Sequence, residues 1–204
     1  MEHFGTIAFG RSSQEHQRRR GSYASYRSML DGPAPAGLGT FETEFLTARD
    51  SFYLSSVGED GWPYVQHRGG PAGFLKVIDA THIAWADRAG NRQYITAGNV
   101  DQDDRIAIIA VDYPNRTRIK LLGHARFDPS PDPALLEQLG IDGRLEGLVT
   151  VEVTAVDWNC PKFITPRFTA DEIRAATTPL ADRISVLETE LAALRAAGSA
   201  TAAR

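Results

Sequence analysis

Between residues 51 and 158 the chain is a succession of short apolar-rich runs separated by turn residues. Phe52-Tyr53-Leu54-Ser55-Ser56-Val57 meets Gly58-Glu59-Asp60-Gly61, and Trp62 to Arg68 returns. Asp60-Gly61 between two such runs predicts a hairpin, because glycine supplies the positive φ that a tight turn demands. Phe74 to Ile78 and His82 to Asp87 form a second predicted hairpin about Asp79-Ala80-Thr81. Ile106 to Val111 is an unbroken apolar run, the pattern of a strand buried on both faces. A turn at Tyr113-Pro114-Asn115-Arg116 leads into a strand from Arg118 to Phe127. Pro133 to Leu139 reads as a short helix and Leu148 to Trp158 as a last long strand. Six or seven strands joined mostly by hairpin-length turns predict a mainly β fold with flanking helices. A closed or nearly closed barrel is favoured because closure removes exposed edges. A doubly wound sheet needs a helix between successive strands. Only residues 91–104 leave room for one, a single turn capped by Asn99.

The two ends carry other patterns. Residues 1–50 are polar, with weak helical patches at 12–30 and 41–49 around the loop Gly32-Pro33-Ala34-Pro35-Ala36-Gly37. Near the C-terminus, Ile173, Thr177, Leu180, Ile184, Leu187, Leu191 and Leu194 recur at 4-3-4-3-4-3 spacing, a heptad seam with one polar member. Thr169 ahead of Asp171 and Glu172 predicts the helix start, Gly198 its stop, and 198–204 a disordered tail. Two uses of the seam stay open here: packing on the chain's own barrel, or a coiled coil with a second copy. The organisation expected is an N-terminal extension (1–44), a barrel (45–160) and a helical extension (161–204).

Composition narrows the function. The chain has 204 residues and a net charge of −4, which argues against a nucleic-acid-coating protein. Arg18-Arg19-Arg20 reads as a solvated surface patch. No apolar run approaches the ~20 residues of a membrane span, and the N-terminus lacks a signal layout, so a cytoplasmic protein without a membrane partner is expected. The single cysteine, Cys160, excludes an intrachain disulfide and reads as structural beside Pro161. The five histidines show no metal-ligand spacing. P-loop, GxGxxG, GxSxG and HExxH patterns are all missing.

Hydrogen-bond donors gather in three places: Gln66-His67-Arg68-Gly69-Gly70, Gly90-Asn91-Arg92-Gln93, and the polar face of 118–127 with Arg118, Lys120, His124 and Arg126. Its other face is Ile119, Leu121, Gly123, Ala125 and Phe127. Donors concentrated at strand ends of an acidic chain suit a small anionic ligand such as a phosphate monoester, which arginine grips bidentately.

Three segments, in order, resemble the pyridoxamine 5′-phosphate oxidase-like, flavin-binding split β-barrel family. Leu54 to Gln66 resembles its opening strand, acidic-glycine turn and x-Pro. Ile83-Ala84-Trp85-Ala86-Asp87 with Gly90 to Tyr94 is similar to its strand and phosphate turn. Thr117 to Ala125 is similar to its strand ending in Gly-x-Ala. The likeness spans about residues 45–160. It implies a homodimer with FMN at the subunit interface. Gln66, His67 and Arg68 would contact the flavin ring edge or ribityl chain, and Ala86 and Asp87 would line the ribityl side. Asn91, Arg92 and Gln93 would hold the phosphate. Arg118 and Lys120 would approach from the barrel strand, and Trp158 would pack near the isoalloxazine. The oxidase branch has Arg at the place of Gln66 and Lys at that of Gln93, and Pro161 to Arg167 does not match its substrate-binding segment. These departures argue against vitamin B6 phosphate as substrate. The resemblance implies an FMN-dependent oxidoreductase with a small-molecule substrate or an electron donor such as NAD(P)H, its catalytic residues unassigned. The alternatives are a flavin-binding or flavin-sensing protein without turnover, or a split barrel using deazaflavin F420 or haem, the last needing an axial ligand such as His124.

Overall fold

A computed structural model describes residues 1–33, 36–159 and 161–202. The part of the expected loop at Ala34 and Pro35, the structural reading of Cys160, and tail residues 203–204 fall outside them. Two compact units form: residues 1–112 with 116–164, and 113–115 with 165–204.

The first unit is built on strands β1 (Ser51–Val57), β2 (Pro63–Gly69), β3 (Lys76–Val77), β4 (His82–Asp87), β5 (Arg105–Asp112), β6 (Thr117–Asp128) and β7 (Gly147–Asn159). They form one antiparallel sheet in the order β2-β1-β5-β6-β7-β4-β3. Both predicted hairpins are present. The first turns at Gly61, whose φ is +81°. The second is held by Asp79, which accepts from Thr81 N (2.7 Å) and His82 N (2.8 Å). The Thr81 N–H bond first, and then the His82 ring and the Thr81 hydroxyl, draw the Asp79 carboxyl down to a pKa of about 2.

The sheet is rolled, not flat. Neighbouring strands lie about 4.8 Å apart, so β1 and β4, four places apart, would be separated by about 19 Å in a flat sheet. Yet the rings of Phe52 on β1 and Trp85 on β4 lie 5.1 Å apart, edge to face. The inward side chains of five strands, among them Leu54, Ile108, Ile119, Val151 and Ile83, join a single buried cluster. Trp85, Phe52, Ile119, Leu121 and Val151 are almost wholly withdrawn from solvent. Burial of apolar surface on this scale drives the curl. β5 corrects one expectation. Its burial alternates, with Ile106, Ile108 and Ala110 buried and Ala107 and Ile109 half-buried. The unbroken apolar run therefore serves the core on one face and an outer apolar groove on the other.

Helices flank the sheet: α1 (Phe4–Ala8), α2 (Arg11–Arg20), α3 (Ser28–Asp31), α4 (Thr40–Thr47), α5 (Ile95–Gln102) and α6 (Pro133–Gln138). The patch expected at 12–30 breaks at Gly21, in the left-handed conformation with Gly21 N bonded to Arg18 O and Ser22 N to Gln17 O. Arg18, Arg19 and Arg20 are exposed at that helix end, as a solvated patch requires. α4 buries Phe45 and Leu46. It is pinned to β5 by Arg49, just beyond its end, whose guanidinium meets the Asp112 carboxylate at 2.9 Å. α5 is longer than the single turn expected. It starts at Tyr94, in the left-handed region (φ 52°), and not at Asn99. Asn99 lies inside it and donates to the buried Ser56 hydroxyl at 2.9 Å.

The second unit is dominated by α7 (Ala170–Ala202). Thr169 starts it through a reciprocal cap: Thr169 N donates to Glu172 Oε2 (2.7 Å) and Glu172 N to Thr169 Oγ1 (3.2 Å). α7 runs through Gly198, correcting the expected stop and shortening the expected tail. A lone glycine costs a helix only about 1 kcal/mol against alanine, and its neighbours here are mostly alanine.

The β6–β7 ladder slips between Leu122 and Gly123, leaving Thr154 as an extra residue on β7. The Thr154 carbonyl accepts from Glu2 N at 2.8 Å. A Cβ on Gly123 would press on the Glu152 carbonyl and lie 2.9 Å from Val151 Cγ1. Gly123→Ala should therefore destabilise the protein by about 1–3 kcal/mol through overpacking. Urea denaturation checks this; an unchanged midpoint would refute the tight crossing.

Candidate functional site

Curling of the sheet brings β2 and β4 face to face. In a flat sheet they would stand about 24 Å apart. Here Arg68 Nη1 on β2 and Asp87 Oδ1 on β4 form an ion pair at 2.5 Å. Both side chains are largely buried, at 21% and 15% exposure. Two adjoining cavities open around this pair. The smaller, of about 180 Å³, is lined by Tyr64, Gln66, Arg68, Asp87, residues 90–97 and Glu146, among others. The larger, of about 490 Å³, extends along Gln66 to Phe74, Lys76, Trp85 to Gly90 and Gly140 to Asp142. That volume lies within the usual range of small-molecule sites.

Local sequence shapes the smaller cavity. The turn Gly90-Asn91-Arg92-Gln93-Tyr94 holds both Arg92 (φ 59°) and Tyr94 (φ 52°) in the left-handed region. Non-glycine residues reach it at an energetic cost that the surroundings must offset. Asn91 Oδ1 accepts from Gln93 N at 3.2 Å, and its Nδ2 donates to Gln93 Oε1 at 3.2 Å. The turn then enters α5, and Ile95, Thr96 and Ala97 of its first turn line the cavity. First-turn N–H groups have no intrahelical acceptor and carry the positive end of the helix dipole. The smaller cavity thus gathers Arg68, Arg88, Arg92, three side-chain amides and a helix N-terminus: an anion-binding environment.

Two carboxylates balance these cations. Asp87 holds Arg68. Glu146, just before β7, accepts from Tyr94 Oη at 2.6 Å and meets Arg92 Nη2 at 3.3 Å. The Tyr94 hydroxyl, and then Arg92, hold the Glu146 carboxyl below the ordinary glutamate range. Arg92 is raised in turn, first by Tyr94 and then by Glu146. Arg88 is tied to the backbone of the 140s, donating to the carbonyls of Asp142 (2.9 Å) and Arg144 (3.2 Å). Two buried donors at the cavities lack a protein acceptor: Arg68 Nε and Trp85 Nε1. An unmet buried donor costs about 1–3 kcal/mol, and an acceptor-rich ligand would recover that. An anionic, acceptor-rich cofactor therefore suits this donor set.

Eight of the residues singled out from sequence line these cavities: Gln66, His67, Arg68, Ala86, Asp87, Asn91, Arg92 and Gln93. His67 is exposed, with its ring against that of Tyr53. Three line neither cavity. Trp158 packs on Phe41 and Phe45 of α4, at 4.8 and 4.9 Å, and its Nε1 donates to Glu42. Lys120 pairs with Asp157 at 3.3 Å and lines an apolar groove with Tyr53, Val65, Ile109 and Leu122 on the outer face of the sheet. Arg118 precedes it on the same face of β6. The site also recruits residues the sequence reading passed over: Arg88, Tyr94, Thr96, Trp85, Lys76 and Glu146. Arg88 sits between two donor segments and was open to discovery. Glu146 is 52 residues from Tyr94, and no local signal announces it. Among the described residues no group of His, Cys, Asp and Glu side chains could hold a metal.

A sequence model of the family pyridoxamine 5′-phosphate oxidase matches residues 42–158, more than half of the chain. The chain belongs to that family, and the match takes in every strand and both cavities. No curated protein matches it. Solved structures that resemble it include HupZ of Group A Streptococcus (14% identity, 64% of this chain and 99% of that one, TM-score 0.48). A second is a Lactobacillus delbrueckii protein assigned provisionally as a pyridoxamine 5′-phosphate oxidase (22%, 58% and 93%, 0.46). A third is an FMN-binding protein of Syntrophomonas wolfei (10%, 72% and 96%, 0.42).

The Arg68–Asp87 pair bridges the two rims of the split. Asp87→Ala leaves a largely buried guanidinium uncompensated and should cost about 1–3 kcal/mol. Arg68→Met with Asp87→Leu should recover most of that loss. Chemical denaturation of the two variants checks the bridge; equal losses would refute it.

Proposed function

We propose that this protein is an FMN-dependent oxidoreductase acting on a small molecule, with the flavin bound in the two adjoining cavities. The carrying observation is their division of labour. The smaller cavity offers guanidinium groups, amides and the first turn of α5, which suits a phosphate. The larger is roomier and mixed in polarity, which suits a ribityl chain and a flat ring. In this reading Asn91, Arg92, Gln93 and the α5 N-terminus hold the phosphate. Gln66, Arg68, Ala86 and Asp87 follow the ribityl chain and ring edge. Trp85 Nε1 and Arg68 Nε supply the two donors that the protein itself leaves unmet. When bound, flavin supplies hydride and electron transfer, and the protein orients it and tunes it by hydrogen bonds.

Gln66 and Gln93 bring no positive charge, so Arg68, Arg88 and Arg92 carry the electrostatic part of anion binding. The carboxylates Asp87 and Glu146 hold Arg68 and Arg92, and the carbonyls of Asp142 and Arg144 hold Arg88, in place before the ligand arrives. A homodimer belongs to the same reading. The outer groove of Tyr53, Val65, Ile109 and Leu122 would be covered by the second copy, and Arg118 and Lys120 would then reach the partner's cofactor. A haem reading finds less support: His124 pairs with Asp104 at 2.7 Å and lines neither cavity.

Purified protein is expected to be yellow and to release FMN by mass. NADH or NADPH should bleach the bound flavin, and oxygen or a dye should restore it. A colourless protein that fails to bind added FMN in fluorescence titration would sink the proposal. Flavin that is bound but never reduced would leave a binding protein. A deazaflavin released in place of FMN would redirect the assignment.

Arg92→Ala should weaken FMN binding far more than riboflavin binding, because riboflavin lacks the phosphate. Glu146→Gln should strengthen FMN binding by about two- to five-fold, the worth of removing one like-charge contact, with riboflavin unchanged. Parallel changes for both ligands would place the phosphate elsewhere.

A further inference from the structure

We propose that α7 pairs with the α7 of a second copy of this chain as a parallel, in-register two-stranded coiled coil. Six apolar members of its seam, Ile173, Leu180, Ile184, Leu187, Leu191 and Leu194, are 45% to 70% exposed. So long a line of exposed large aliphatics on one helix marks an interaction surface. Its spacing selects a like helix as the occupant, because a 3.5-residue repeat is matched along its whole length only by another such repeat. Leu180, Leu187 and Leu194 fall at d, with Ile173 at the d position before them. Thr177, Ile184 and Leu191 fall at a. Leucine at d suits a parallel dimer.

The charges flanking the seam choose the orientation. Arg183 and Glu190 lie at g, Glu188 and Arg195 at e. In a parallel pair each g residue faces the e residue five places on in the other chain. Arg183 then meets the partner's Glu188, and Glu190 meets the partner's Arg195, and two-fold symmetry forms each pair twice. In the antiparallel alternative, with Ile184 layered on the partner's Leu187, Arg174 faces the partner's Arg195. That register also pairs Arg183 with the partner's Glu190, but the two Arg174–Arg195 repulsions offset those two attractions, whereas the parallel pair has four attractions and no repulsion.

Two details fit the seam. Thr177 satisfies its hydroxyl along its own helix, donating to Ile173 O at 2.9 Å, so it enters the seam with no orphan donor. Pro179 lies inside α7, but at a c position on the outer side, where its ring stays clear of the partner. So few heptads are marginal alone. A prior association of the two chains would supply the effective concentration that completes the zipper.

The test uses the full chain with Cys160→Ser, which removes its sole thiol. Leu194→Cys in that background should give a disulfide-linked dimer in most of the protein at low micromolar concentration under mild oxidation. Thr189→Cys, at f on the outer side, should crosslink several-fold less. Arg183→Glu should reduce the Leu194→Cys crosslink several-fold, and adding Glu188→Arg should restore it. A Leu194→Cys protein that stays monomeric on non-reducing gels would overturn the proposal. So would equal crosslinking at Thr189→Cys, or preferential crosslinking between mixed Thr177→Cys and Leu194→Cys chains, the antiparallel signature. The readout needs no flavin, so it stands or falls separately from the assigned activity.

Discussion

Everything in this structure depends on the curl of one sheet. Seven antiparallel strands leave β2 and β3 as edges, and laid flat they would share neither a core nor a cavity. Burial of Phe52, Leu54, Ile83, Trp85, Ile108, Ile119 and Val151 in one cluster rolls them together. The Phe52–Trp85 edge-to-face contact is the direct mark of that closure. The rims of the split are then held by a charge pair where the apolar core ends. Arg68 and Asp87 do what a ladder of backbone bonds would do in a closed barrel, while leaving space beside them for a ligand.

The electrostatics of the cleft follow from the same arrangement. The chain is acidic overall, yet it concentrates guanidinium groups and a helix N-terminus at one end of the split. Each cation is held by a fixed partner: Arg68 by Asp87, Arg92 by Glu146 and Tyr94, Arg88 by the carbonyls of Asp142 and Arg144. Fixed partners cost some positive potential, but they place the donors before a ligand arrives, and a preorganised site wastes less binding energy on ordering. The left-handed turn at Arg92 and Tyr94 belongs to the same design, since it turns the chain from the end of β4 into α5.

Much of this was legible in the residues. Alternation and the Asp60-Gly61 turn located the strands within a residue or two, because local sterics and one-sided burial act on neighbours in the chain. The donor runs at 66–70 and 90–93 stood out because they break that alternation at strand ends. What escaped notice depended on distant partners. No local pattern announced that Trp158 would pack on Phe41 and Phe45 of α4 and donate to Glu42. Asn99 looked like a cap, but the buried Ser56 hydroxyl gave its amide a better use inside α5. Gly198 looked like a stop, but alanine-rich flanks carried the helix through.

The sequence by itself therefore determined the strands, the turns and the seam of α7, all properties of residues within a few positions of one another, and the order of its motifs pointed to the family. Only the tertiary structure decided which donors converge. Arg68 and Asp87 are 19 residues apart, and Arg92 and Glu146 are 54 apart. No periodicity links positions that far apart along a chain. They meet because a single apolar core can close only by rolling the sheet, and rolling brings its far strands together.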